Sequence, residues 1–259
     1  MADEPDVYCD SCVPGYRVEG AGPLLVYIPG LDGTGEMLFK QMSGLARSYR
    51  VVTFRLRDGG RFTYEDLADD VAAIIKDTGE RRATVLTESF GGGVALTFAL
   101  RYPLMLERLV LVNSFPRYRR RIRIRLGARL ASIVPFRLIW PVRKAADRVG
   151  LLVDDVTGED RRRFFEIIRT VKREGYARRL RLIAELDLDG RLSEIEAPVL
   201  IIATEKDMLV PSIVEARKMA ARMPRATVKI IKGAGHACLL GNRVCLADIL
   251  DEWQVAVTC

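Results

Sequence analysis

The chain contains one histidine, so His236 is its only imidazole. Any chemistry that needs an imidazole base must run through Gly233-Ala234-Gly235-His236. A stretch this rich in glycine reads as a loop, too open for a core position. The matching nucleophile is Ser89, in Thr87-Glu88-Ser89-Phe90-Gly91. Those residues stand where an apolar strand ends and a small-residue helix begins. The pattern is close to the G-x-S-x-G elbow, in which a sharp turn lifts a serine hydroxyl out of a sheet. Gly91, Gly92 and Gly93 supply the small residues on the helix side. Thr87 departs from the pattern, because a β-branched side chain suits the strand but crowds the elbow. The competing reading is a serine that caps an ordinary glycine-rich helix.

Serine is a weak nucleophile unless an imidazole takes its proton and a carboxylate orients that imidazole. Asp207, in Thr204-Glu205-Lys206-Asp207, follows a strand and lies between Ser89 and His236 in the chain. The order Ser, acid, His is the one used by serine enzymes built on a nucleophile elbow. Glu205 competes but sits closer to the strand end, and Asp187 and Asp189 precede the strand. Backbone N–H groups must also hold the oxyanion. Phe90, next to the nucleophile, supplies one. Pro29-Gly30-Leu31-Asp32-Gly33-Thr34-Gly35 should supply the other, and Leu31 is the chosen donor. A phosphate cradle is the alternative for this loop. It lacks the lysine of a P-loop, and its glycines do not fit G-x-G-x-x-G. One histidine leaves little room for His-based metal sites, and the reaction sketched here needs no metal or organic cofactor.

The elements that would position these residues alternate. Apolar runs at 23–28, 50–56, 83–87, 109–112, 198–203 and 227–231 read as strands. Helical spacing follows around Met37 to Leu45, after the capping box Thr63-x-x-Asp66, over 91–100, from Ser212 and Glu215, and over 244–253. Repeated β–α units imply a mostly parallel sheet with helices on both faces. The alternation stops between 115 and 186, where only helical patterns occur, three or four of them. The expected organisation is a core of residues 1–114 and 187–259 interrupted by a helical lid at 115–186.

On these residues the chain resembles the α/β-hydrolase superfamily. The resemblance rests on the 29–35 loop, Glu88-Ser89-Phe90-Gly91-Gly92, Asp207 before Val210-Pro211, and Gly235-His236. It runs from about residue 23 to 255, with 115–186 at the position of the variable lid. It implies the α/β-hydrolase fold, a Ser89-Asp207-His236 triad and cleavage of carboxylic esters through an acyl-enzyme. The P-G-L-D-G-T-G loop resembles a subgroup of small esterases and acyltransferases acting on hydrophobic acyl groups. Serine rather than aspartate at the nucleophile position argues against the dehalogenase and epoxide-hydrolase branches. The alternatives are a thioesterase or acyltransferase with the same triad, and a non-catalytic ligand-binding protein on this fold.

Composition bounds the partners. The chain has 259 residues, 49% apolar and 29% charged, and a net charge of +7, which fits a folded domain and excludes a disordered polyelectrolyte. Residues 115–185 hold 20 Lys and Arg against 8 Asp and Glu, a net of +12, while the remainder carries −5. Arg119 to Arg125 open a basic amphipathic helix, followed by an apolar stretch in which Phe136, Ile139 and Trp140 are the expected acyl-pocket residues. Such a lid suits a small acyl ester substrate with an anionic carrier protein or an anionic membrane surface beside it; the plain alternative is a solvated basic face. Aromatics do not interleave with the arginines, which argues against nucleic acid. Five cysteines, with one C-x-x-C at Cys9 and Cys12, do not make a disulfide scaffold. Free thiols, an acidic N-terminus without an apolar run, and a terminal Cys259 outside any prenylation pattern are read as a cytoplasmic protein.

Overall fold

The computed structural model describes residues 13–118, 124, 152 and 156–258. In chain order the elements are β1 (Tyr16–Glu19), β2 (Leu24–Ile28), α1 (Phe39–Leu45), β3 (Arg50–Phe54), α2 (Tyr64–Asp77), β4 (Ala83–Glu88), α3 (Gly91–Arg101) and β5 (Leu106–Val112). Further along the chain come α4 (Gly158–Arg169), α5 (Arg173–Glu185), β6 (Val199–Thr204), α6 (Ser212–Ala220), β7 (Ala226–Ile231) and α7 (Leu246–Thr258). The strands form one sheet in the order β1-β3-β2-β4-β5-β6-β7. All neighbours are parallel except β1, which runs antiparallel to β3. This is the α/β-hydrolase fold, with a mostly parallel sheet covered on both faces.

The central strands are continuous apolar runs because both of their faces are buried. Val26, Val85, Leu109 and Ile201 point to one face, under α2, α3, α5 and α6. Leu25, Leu86, Val110 and Ile202 point to the other, under α1 and α7. Period-two alternation therefore sorts each strand between two cores rather than between core and water. The two edge strands, β1 and β7, are the ones that open to solvent, with Val18 48% and Ile230 38% exposed. The sequence pattern does not announce β1, because four residues with one half-buried position carry too little apolar signal.

α2 begins where the capping box places it. Thr63 Oγ1 accepts the Asp66 amide, and the Asp66 carboxylate accepts the Thr63 amide. Leu67, Val71, Ile74 and Ile75 then bury one stripe against the sheet.

The insertion leaves and returns at one place. Arg117 and Asp187 form an antiparallel bridge and an ion pair of 3.3 Å, and Leu188 N–H donates to the Pro116 carbonyl at 3.0 Å. Its returning half divides between two environments. α5 lies in the main core through Ala177, Leu180, Leu182 and Ile183. α4 makes a separate apolar cluster with Met37 and Leu240, using Phe164, Ile167 and Ile168. Lys40 on α1 also pairs with Asp160, and the Arg163 guanidinium stacks 4.3 Å over the Phe39 ring. Among the described residues, no helix is long and apolar enough to cross a membrane.

Candidate active site

β4 ends at Glu88, and the next residue turns sharply. Ser89 has φ 51, a left-handed backbone that L side chains rarely adopt. Its amide donates to the Val112 carbonyl of β5 at 2.9 Å, which anchors the turn to the neighbouring strand. The turn is tight enough to fix the types around it. A Cβ on Gly91 would stand 2.2 Å from Thr87 Oγ1, 2.6 Å from the Pro29 carbonyl oxygen and 2.8 Å from that of Ile28. A Cβ on Gly92 would meet the Ser114 side chain at 2.5 Å. Thr87 is fully buried, and its hydroxyl donates to the Ile28 carbonyl at 3.0 Å. The threonine that breaks the small-residue pattern thus bonds to β2 and occupies the space that Gly91 leaves empty.

Ser89, His236 and Asp207 meet. Ser89 Oγ lies 2.9 Å from His236 Nε2, and His236 Nδ1 lies 2.8 Å from Asp207 Oδ2. With the proton on Nδ1, the imidazole donates to the carboxylate and accepts from the serine hydroxyl. The other carboxylate oxygen, Oδ1, accepts the Leu209 and Val210 amides at 2.9 Å each. Asp207 is thereby held from both sides, with its side chain fully out of solvent. Glu205, the nearby competitor, turns away and accepts the Gly233 amide at 2.8 Å. Asp187 pairs with Arg117, and Asp189 with Arg222 at 3.1 Å. The arrangement can pass a proton from serine to imidazole while a carboxylate stabilises the resulting imidazolium.

Within the described residues no hydrogen bond takes up the amide of Phe90 or that of Leu31. Phe90 is buried and its ring stacks on Tyr64 at 5.5 Å. Leu31 sits in a turn closed by the Gly33 amide on the Gly30 carbonyl, at 3.1 Å. Asp32, the acid of that loop, folds back on Thr34, accepting its amide at 2.8 Å and its hydroxyl at 2.5 Å. Phe136, Ile139 and Trp140 lie outside the described residues. Among the described residues, no group of three or more His, Cys, Asp or Glu side chains converges as a metal site would.

Three contributors were not singled out from the sequence. Asn113 ends β5 with φ 46 and is buried. Its amide nitrogen donates to the His236 carbonyl at 2.8 Å, and its oxygen accepts the Thr204 amide at 3.0 Å. It therefore ties the histidine loop to the strand that leads to Asp207. The polar pair Asn113-Ser114 after an apolar strand was the available signal. Arg179 on α5 donates to the carbonyls of Leu31 and Asp32 at 3.0 Å each, and nothing local in the sequence announced that. Glu88 is the third. Its carboxyl accepts the Tyr27 hydroxyl at 2.5 Å and lies against Gly30 beside Asp32. Burial pushes its pKa up to about 7, with the Asp32 charge adding to the rise and the Tyr27 hydrogen bond and His236 opposing it.

A sheet whose strands end on one edge at an elbow serine, an acid loop and a histidine loop defines an α/β-hydrolase. The sequence model of the alpha/beta hydrolase family matches residues 25–243, and the chain belongs to that family. A protein of Caulobacter sp. (strain K31) that carries the name of a carbamate hydrolase, RutD, is 30% identical over 226 residues, spanning 80% of this chain and 81% of its own. A protein of the same name from Agrobacterium fabrum is 26% identical over 240 residues, spanning 85% and 88%. Among solved structures, a hydrolase from Pseudomonas aeruginosa PA01 has a TM-score of 0.77 at 25% identity, covering 93% of this chain and 91% of that one. An esterase from Thermogutta terrifontis shares the fold, with a TM-score of 0.81 at 23% identity and coverage of 94% and 93%.

Two outcomes follow from the elbow and its acid. Gly91→Ala should cost roughly 1–3 kcal/mol in denaturant unfolding, the usual range for overpacking. Combining it with Thr87→Gly should recover only part of the loss, because two backbone carbonyls still block the Cβ. The second outcome concerns Glu88. A buried carboxyl with a raised pKa binds its proton more tightly in the folded chain, so it favours folding at low pH. That contribution is lost as pH rises from the ordinary glutamate value of 4.5 to about 7. Glu88→Gln should therefore gain in Tm relative to the parent across that window. Parallel Tm curves from pH 4 to pH 8 would refute the assignment.

Proposed function

We propose that the protein is a serine hydrolase that cleaves carboxylic esters of hydrophobic acyl groups. The observation that carries this reading is the unbroken chain from Ser89 Oγ through the His236 ring to Asp207, with the far carboxylate oxygen held by two amides. Ser89 attacks the acyl carbon while His236 takes its proton. Asp207 fixes the imidazole tautomer and stabilises the imidazolium. The Leu31 and Phe90 amides receive the oxyanion, two donors with no other partner to give up. His236 then returns the proton to the leaving alcohol. Water, activated by the same imidazole, attacks the acyl-enzyme, and the acid leaves. In this reading residues 115–186 form the lid, and Phe136, Ile139 and Trp140 line the acyl side of the pocket. The basic lid surface faces an anionic carrier or membrane.

The relatives that carry the carbamate hydrolase name favour a second reading, in which the attacked carbon is that of a carbamate. The triad chemistry is unchanged and the leaving group becomes an amine or ammonia. A panel of p-nitrophenyl esters of rising chain length, matched thioesters and matched carbamates separates these readings. The ester reading expects the highest kcat/KM on esters, rising with acyl length. Preferred carbamate turnover would replace it.

The same reading sets the behaviour of the nucleophile. A fluorophosphonate should label the parent protein at Ser89 and leave Ser89→Ala unlabelled. Ser89→Ala should lose a factor of about a thousand or more in kcat, because the members of a triad act as one unit. An unlabelled parent, tested beside a reactive control esterase, would overturn the enzyme reading.

A further inference from the structure

Arg179 is among the largest side chains of the described residues with no exposure to solvent. It comes from α5, in the returning half of the insertion, and reaches a loop 148 residues earlier in the chain. A guanidinium has five N–H donors, and all five are placed. Nε donates to the Leu31 carbonyl at 3.0 Å. One terminal nitrogen donates to the Arg57 carbonyl at 3.0 Å and to Asp58 Oδ1 at 3.2 Å. The other donates to the Asp32 carbonyl at 3.0 Å and to Asp58 Oδ1 at 3.2 Å. Burial costs the cation part of its affinity for the proton, and Asp58 offsets that loss. The backbone is shaped to admit it. Gly33 has φ +70, and a Cβ there would stand 2.5 Å from the guanidinium carbon. A Cβ on Gly175 would stand 2.3 Å from Asp58 Oδ1.

The consequence lies in the peptide planes. In a trans peptide the C=O and the following N–H point in opposite directions, so holding one aims the other. Arg179 holds the Asp32 carbonyl, which aims the Gly33 N–H. That N–H donates to the Gly30 carbonyl at 3.1 Å, which in turn aims the Leu31 N–H. Arg179 also holds the Leu31 carbonyl, the next plane along. A rotation of the Leu31 amide would therefore break a chain of hydrogen bonds that ends on a cation with nowhere else to go.

We propose that Arg179 is a positioning residue for the reaction: by fixing the Leu31 to Gly33 backbone it keeps the Leu31 N–H turned toward the oxyanion, and so makes the insertion's last helix part of the active site. The proposal rests on the serine hydrolase reading for its effect on turnover, but its effect on the loop is independent of that reading. A clamp of this kind acts on the transition state more than on the bound ester, because the oxyanion exists only after attack. Losing one such donor costs about a hundredfold to a thousandfold in kcat.

The experiment compares Arg179→Lys, Arg179→Met and the double variant Arg179→Met with Asp58→Asn, which removes both buried charges together and guards against simple misfolding. Two readouts are taken on each folded variant. One is amide hydrogen exchange over residues 29–35; the other is kcat and KM for p-nitrophenyl butyrate. Faster exchange in the loop, with kcat down roughly a hundredfold for Arg179→Met, less for Arg179→Lys, and KM within about threefold, supports the proposal. Unchanged loop exchange overturns it, as does full kcat in any variant that has lost the guanidinium. A rise in KM with kcat kept also overturns it and assigns Arg179 to substrate binding. If the parent turns over no ester but the loop loosens in the variants, the hydrolase reading fails while the holding role stands.

Discussion

Ser89 sits in a left-handed backbone conformation that costs an L residue roughly 1–2 kcal/mol, and the centre of the molecule is arranged to hold it there. No local interaction could do this alone. The amide is tied across to β5, the following glycine has no Cβ to collide with β2, and Thr87 fills the gap from below. The strain has a use. A serine in an ordinary helical or extended conformation at a strand end would point into the sheet or the helix. Turned this way, its hydroxyl reaches the imidazole of the loop after β7, three strands further along the sheet. Asn113 repeats the device at the end of β5, with the same sign of φ and its own amide on Ile202 of β6. The two left-handed residues on adjacent strands open the edge at which the acid and histidine loops close.

Buried charge is distributed around that edge in a consistent way. Asp207 accepts three hydrogen bonds, Asp32 is satisfied within its own loop, and Asp58 and Arg179 neutralise each other. Each ionised group thus exchanges water for fixed donors, which is the condition for leaving a charge inside a protein. Glu88 is the exception. It sits next to the nucleophile with a hydroxyl as its partner rather than a cation, and it holds its proton to about pH 7. Its charge state therefore changes near neutral pH, within electrostatic reach of the imidazole.

The insertion is less separable from the core than its composition suggests. α4 behaves as a module, docked through one apolar cluster, an ion pair and a stacked arginine. α5 does not: its apolar face is continuous with the main core, and its arginine is embedded in the loop beside the nucleophile. Movement of the first would break only that cluster, the Lys40–Asp160 pair and the Arg163–Phe39 stack. Movement of the second would take the backbone of the 30–35 loop apart.

The sequence alone determined the elements and pointed to Ser89, Asp207 and His236, because both signals are encoded over short range. Apolar runs bounded by glycine marked β2 to β7 within a few residues, and the capping box marked α2. Glycines around one serine marked the elbow, and a single histidine left no rival for the base. β1 escaped, since one half-buried position in four residues has no period to detect. Spacing ranked Asp207 ahead of Glu205, but tertiary structure alone decided how the two carboxylates are turned. Asp207 and Glu205 are two residues apart on one loop, and only the path of β6 and the tie to Asn113 turn one toward His236 and the other toward Gly233. It alone decided, too, that Arg179 belongs to the site. In the sequence Arg179 is one basic residue in a basic segment. Its role depends on a carbonyl 148 residues away, and no local pattern records a contact made by the closing of a fold.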